Sequence, residues 1–257
     1  MMYLLGYSLF ILVGFFFGFF GSGGSILIIP VLIYIFNLSI YEATTYSLLL
    51  VFLISLFGTL RHVNKKNLHI QHVLVFIIPA LLFTSISRVF LFPEIPEYIV
   101  IFNSTKQSFL MTLFAVVIFV SAIMLLRPKP QLSTYNFNFI LPLIGSVIGL
   151  LTGLLGIGGG FVILPALILF TNMKMKAAAA STLFIIMLNT FLALMLEITV
   201  FNFNFNFQFI ASLLLAGIIG TVIGINMLNK IDQDIIKKVF SITLLLLSLT
   251  IFLLELI

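Results

Sequence analysis

The chain has 257 residues, of which 62% are hydrophobic and 7% charged, with a mean hydropathy of +1.34 and a formal net charge of +5. So apolar a composition cannot clothe a water-soluble domain, and it makes lipid the expected solvent. Cysteine is absent, which excludes disulfides, thiolate metal sites, iron–sulfur clusters and cysteine nucleophiles, and the basic residues are scattered between apolar spans, which fits loop lysines that set membrane orientation rather than a nucleic-acid surface.

A membrane span takes about 20 apolar residues. The first apolar block, about 3–36, is longer than one crossing and carries a Gly cluster; its opening, Met1 to Phe20, has no basic leader and is predicted to be a retained span. Ordinary spans are predicted at about 43–60, 70–92 and 107–126. A second over-long block with a Gly cluster follows at 137–171, and then spans at 177–200, 207–228 and 238–256. Tyr3, Tyr7, Tyr34, Tyr41, Tyr98 and Tyr135 supply interfacial aromatics in a chain without Trp.

The two long blocks are copies of each other. Aligning Pro30 with Pro165 superposes Gly14 on Gly149, Gly18 on Gly153, Gly21 on Gly156, Gly23 on Gly158 and Gly24 on Gly159 without a gap. The same offset continues through Asn37 with Asn172, Ala43 with Ala178 and Leu48 with Leu183. The expected organisation is therefore an N-terminal repeat at 1–127, a connecting cytoplasmic loop at 128–136 and a C-terminal repeat at 137–257, together forming one membrane domain.

The positive charges test the topology. If each long block crosses once, they divide almost evenly between the two sides. If each block instead turns back at its glycines, Arg61, Lys65, Lys66, Arg127, Lys129, Lys174, Lys176, Lys230, Lys237 and Lys238 share the cytoplasmic side and only Lys106 is external. Each half then has five membrane elements, an odd number, so the halves are inverted and both termini lie outside. The predicted fold is all-α and polytopic, with two inverted repeats of about five membrane elements each. It has eight full spans, or ten if each Gly-rich hairpin counts as two.

Gly21-Ser22-Gly23-Gly24-Ser25 and Gly156-Ile157-Gly158-Gly159-Gly160 are predicted helix breaks. In lipid, broken backbone must line a cavity or be packed in protein. A short helix starting after each cluster would aim free N–H groups and a positive dipole end inward, which suits an anion. Pro30 and Pro165 follow at fixed distance and are expected to act as hinges, whereas Gly14, Gly18, Gly145, Gly149 and Gly153 fit close helix packing. The next spans open with hydroxyls at Thr45, Ser47, Ser181 and Thr182, which either donate to an anion or bond back to their own helix. Asn189, seven residues past Thr182 on the same face, joins the candidate substrate-binding set.

Arg88 lies within a predicted span, five residues before Pro93, and is expected to snorkel to the outer interface. Glu197 is also near the outer end of its span, so no carboxylate is expected at a helix centre to relay protons. His62, His69 and His72 gather at one loop without an acidic ligand set, so no metal site is expected. No cofactor motif is present, since neither Gly cluster is followed by the Lys-Ser or Lys-Thr of a phosphate-binding loop.

The doubled G-x-x-x-G-x-x-G-x-G-G hairpin with its trailing Pro, followed by a small-residue and hydroxyl-rich span start, resembles the sulfite exporter TauE/SafE family, the toluene-sulfonate uptake permeases. The likeness covers nearly the whole chain. The first copy departs at Ser25, where the pattern has a third Gly, and at Tyr46, which interrupts the hydroxyl run. The resemblance implies a multi-pass transporter of sulfite, sulfonates or related organosulfur anions in a bacterial inner membrane. Its expected partners are a small anionic substrate and the lipid bilayer, with no nucleic acid and an oligomeric state that sequence does not reveal. An anion channel of the same fold and an intramembrane enzyme are the rival readings; the enzyme would need a nucleophile and base at one depth, and here the histidines lie at a loop while the serines lie in spans.

Overall fold

The computed structural model describes residues 2–21, 24–63, 70–99, 103–126, 137–156, 158–171, 173–200, 203, 205–228 and 230–256. The connecting loop 128–136, the cluster residues Ser22, Gly23 and Ile157, and the side chains of His62, His69 and His72 lie outside them.

Helices account for nearly all of the described chain. They are α1 (Met2–Phe20), α2 (Ser25–Tyr34), α3 (Ile40–Val63), α4 (Ile70–Ile86), the single turn α5 (Phe92–Glu94), α6 (Lys106–Leu126), α7 (Phe137–Leu155), α8 (Gly160–Phe170), α9 (Met175–Thr199), α10 (Phe207–Leu228) and α11 (Gln233–Leu256). A π-helical segment, Ser87–Leu91, joins α4 to α5. The one departure from an all-helical chain among the described residues is a short antiparallel ribbon before α6, in which β1 (Tyr98–Ile99) pairs with β2 (Ser104–Thr105).

Six helices are long and apolar enough to cross a bilayer: α3, α4 with its continuation, α6, α9, α10 and α11. Their outer faces carry exposed apolar residues at helical spacing, such as Leu74, Ile78 and Leu82 on α4 and Leu215, Ile219 and Ile223 on α10. A soluble protein would bury such stripes; here they face lipid. The chain is an all-α polytopic membrane protein.

Both long blocks break at their glycines. Gly21 closes α1 with φ +76° and Gly156 closes α7 with φ +67°, a left-handed conformation that glycine adopts without a Cβ penalty. Their N–H groups donate to Phe17 O and Thr152 O, which are equivalent positions in the duplication. After each break the chain folds back. Gly24 rests on Val13 and Phe17, and Phe36 at the far end of the hairpin reaches Gly6.

Packing between the copies follows a reciprocal pattern. The dominant contacts pair α1 with α10, α4 with α7, α3 with α9 and α6 with α11. Gly14 and Gly18 meet the backbone of Gly217 and Thr221, so α1 and α10 run parallel. Gly145 and Gly149 meet the backbone of Phe76 and Ala80, and Gly153 meets Thr84, so α4 and α7 run parallel as well. By contrast α3 and α9, each other's counterparts, are antiparallel: Thr45 lies beside Glu197, the Phe52 and Phe191 rings meet at a tilt with centres 5.3 Å apart, and Gly58 abuts Leu183. These two helices are the most buried of the six.

A side chain on Gly14 would overlap the Gly217 carbonyl, whereas one on Gly58 meets only the flexible end of Leu183. Gly14→Val is therefore expected to destabilise the fold by about 1–3 kcal/mol or more, the usual cost of overpacking, and Gly58→Ala by much less. Thermal unfolding in detergent checks both.

Candidate functional site

The α3–α9 contact positions the candidate residues. Because the helices are antiparallel, the hydroxyls at their N-terminal ends are far apart. Thr45 is level with Glu197, and Thr182 lies 15 residues back along α9, about 20 Å at 1.5 Å per residue. The expected set thus divides into two groups, one at each end of the α3–α9 pair.

Each glycine turn sits against the other copy. Gly21 packs on Ala179, next to Ser181 and Thr182, and Gly156 packs on Thr44, next to Thr45 and Ser47. Ala179 and Thr44 are themselves equivalent positions. Gly158 lies between the groups, against Val51, Ile186 and Thr190, and Gly159 rests on Thr152 and Ile148. Ser25 and Gly160 begin α2 and α8 and are buried, and Pro30 and Pro165 lie within those helices rather than at their ends.

The hydroxyls do not bond back to their own helices. Ser47, Ser181 and Thr182 are fully buried, and their hydroxyl oxygens have no hydrogen-bond partner among the described residues; the same holds for Thr152 Oγ1 and Asn189 Nδ2. The other end of Asn189 is held, since Thr84 Oγ1 lies 2.8 Å from Asn189 Oδ1 and 3.0 Å from Gly149 O. Buried polar atoms without partners cost about 1–3 kcal/mol each. Their clustering on the helices beside the glycine turns is a feature that packing alone does not require.

Arg88 does not snorkel. It is fully buried, and its Nε donates to Oε1 of Glu197, which is also fully buried. Nη2 donates to Thr44 Oγ1 at 3.3 Å and Thr45 Oγ1 at 3.1 Å. Glu197 Oε2 accepts from Tyr41 OH at 3.2 Å and from Thr45 Oγ1 at 3.3 Å. The guanidinium lies 4.2 Å from the centre of the Phe92 ring, within cation–π range. Only Nη1 lacks a partner among the described residues.

Two features bring Arg88 inward, one local and one distant in the chain. The π turn at Ser87–Leu91 shifts the helical register where Arg88 sits, a device common at functional sites. The partner carboxylate comes from the other copy, 109 residues away. Sequence reasoning missed this pair, though one signal was available. Gly18 and its equivalent Gly153 meet Thr221 and Thr84, which equates Thr84 with Thr221 and so Arg88 with Ile225, while the offset that aligns Ala43 with Ala178 puts Glu197 on His62, so the matching positions hold no such pair.

Tyr46, which breaks the hydroxyl run, has a separate task. Its hydroxyl accepts from Asn206 N–H at 3.2 Å, and its ring meets Phe203 and Phe209 edge-on at 5.6 Å. Phe203 also meets Tyr41 at 5.7 Å, which places these aromatics at the end of the bundle where Arg88 lies.

The long apolar helices, with exposed apolar stripes on their outer faces and polar side chains buried within, define a multi-pass membrane protein. The family model for the sulfite exporter TauE/SafE family matches residues 7–251, and the chain belongs to that family. It is similar to a probable membrane transporter protein of Methanocaldococcus jannaschii, with 30% identity over 193 residues covering 70% of this chain and 68% of that one. It is also similar to a probable membrane transporter protein of Bacillus subtilis, with 25% identity over 199 residues, 66% of this chain and 68% of that one. No solved structure matches the chain.

Removing one member of a buried ion pair leaves an uncompensated charge at a cost of about 3–5 kcal/mol, while replacing both by apolar residues is often neutral. Arg88→Met is therefore expected to lower thermal stability sharply, and the double variant Arg88→Met/Glu197→Met to recover most of it, as read by unfolding in detergent.

Proposed function

We propose that this transporter carries small sulfur-containing anions, such as sulfite or sulfonates, across a bacterial cytoplasmic membrane by alternating access. Two inverted halves, 1–127 and 137–257, rock about the α3–α9 contact. The antiparallel course of α3 and α9 supports inversion, because a two-fold axis in the membrane plane reverses counterpart helices whereas an axis along the membrane normal would leave them parallel. The reciprocal pairing of α1 with α10 and of α7 with α4 supports a two-fold relation between the halves. With α1–α2 and α7–α8 turning back as hairpins, the charge distribution keeps both termini outside.

The observation that carries the reading is the pair Ser47 and Thr182. They occupy equivalent positions, both are fully buried, and neither hydroxyl has a partner among the described residues. Each lies by the glycine turn of the opposite half, so one group serves the outer and the other the inner part of a single route. Gly158, Asn189 and the start of α8 lie between, where the α8 N-terminus offers N–H groups to an oxyanion. The family's description supports a sulfur oxyanion as cargo.

Ser47→Ala and Thr182→Val remove unsatisfied hydroxyls and are expected to leave thermal stability unchanged or raised. Flux in proteoliposomes is expected to fall about tenfold or more for each, the equivalent of one hydrogen bond to a charged group. Thermal stabilisation by sulfite or a sulfonate, weakened in both variants, identifies the cargo. Full flux in both variants contradicts the route, and currents far above carrier turnover favour a channel.

A further inference from the structure

Arg88 and Glu197 form a buried unit whose charges cancel. Both oxygens of the carboxylate are occupied, Oε1 by Arg88 and Oε2 by Tyr41 and Thr45. The guanidinium is not saturated: Nη1 is buried and has no partner among the described residues. An unused donor on a buried cation, one residue contact away from the Gly156 turn through Thr44, is an anion handle.

Charge decides what happens when the handle is used. An anion on Arg88 leaves two negative charges against one guanidinium in a low-dielectric interior, where an unpaired charge is costly. The excess is removed if Glu197 becomes neutral.

We propose that the transported anion binds Arg88 by displacing the Glu197 carboxylate, and that Glu197 takes up one proton as it leaves, so that one proton crosses with each anion. The inference deepens the transport reading above and rests on it. As a neutral acid Glu197 becomes a donor as well as an acceptor, and the Thr45 hydroxyl beside it can accept that proton's hydrogen bond. On the other side of the membrane the anion departs, Glu197 releases its proton, and the ion pair re-forms.

The surroundings restrict the proton to this carboxylate. The groups facing Glu197 are Arg88 from the π segment and Tyr41, with the hydroxyl of Thr45, from α3. Beyond Phe92 lies Lys106 at the start of α6, its Nζ 4.4 Å from the ring centre, with Glu97 in the loop before it. No second carboxylate touches Arg88 among the described residues. Because the matching positions hold Ile225 and His62, the transporter has one such exchange site rather than two.

The test uses the full chain in proteoliposomes with methanesulfonate and benzenesulfonate, which stay ionised at every pH used, and a trapped pH dye. A pH difference of one unit, alkaline inside, is expected to drive about tenfold accumulation, since one proton accompanies each anion, together with acidification of the lumen. Glu197→Gln is expected to lose both signals while downhill sulfonate exchange remains measurable. Should that variant fail to fold, the wild-type measurement decides alone. Sulfonate flux in the wild type that ignores the pH difference and moves no protons overturns the coupling but leaves transport standing, as does a Glu197→Gln variant that still accumulates. Absence of any sulfonate flux in the wild type overturns the transport reading and the coupling with it.

Discussion

The antiparallel contact between α3 and α9 governs the rest of this protein. These helices are the most buried of the long spans, and they pair counterpart with counterpart over the middle of their length, from Thr45 at Glu197 to Gly58 at Leu183. The candidate residues are referred to this seam: each glycine turn packs near the start of one of the two helices, and the buried hydroxyls lie within their first three turns. The seam also places Arg88 and Glu197 together, because Glu197 at the end of α9 meets Tyr41, Thr44 and Thr45 at the beginning of α3.

Lipid as solvent explains why the helix breaks take the form they do. A broken helix exposes amides and carbonyls that hydrocarbon cannot satisfy. Gly21 and Gly156 answer this by ending their helices in the left-handed conformation, with N–H groups returned to Phe17 and Thr152, and by pressing against Ala179 and Thr44 where a side chain would not fit. The same glycines that allow the turn allow the halves to meet. Close packing and an open polar group therefore coexist at these positions, since the closest packed point of each turn lies within three residues of a hydroxyl that has no partner among the described residues.

Much of the fold was legible in the sequence because periodicity and length are strong signals in membrane chains. The six long spans, the breaks at the two Gly clusters and the offset between copies are all local or repetitive features. The site was less legible. Thr45, Ser47, Ser181 and Thr182 look like one cluster when the copies are aligned, but residues equivalent under an antiparallel crossing lie at opposite ends of it, so alignment brings together in register what the fold holds about 20 Å apart. Arg88 was misread for a different reason. Five residues from Pro93, an ordinary α-helix would let it reach the interface, and neither the π turn nor a carboxylate 109 residues away leaves a local trace.

The central claim is that the two hydroxyl groups are opposite ends of one route, open in turn. The chain has no cysteine, so Ser47→Cys and Thr182→Cys each introduce a single reporter. With a membrane-impermeant thiol reagent applied from either side, the account predicts that Ser47→Cys reacts only from outside and Thr182→Cys only from the cytoplasm, and that added substrate shifts the two reactivities in opposite directions. Simultaneous labelling of both positions at rates indifferent to substrate, or labelling of either from both sides, would contradict it.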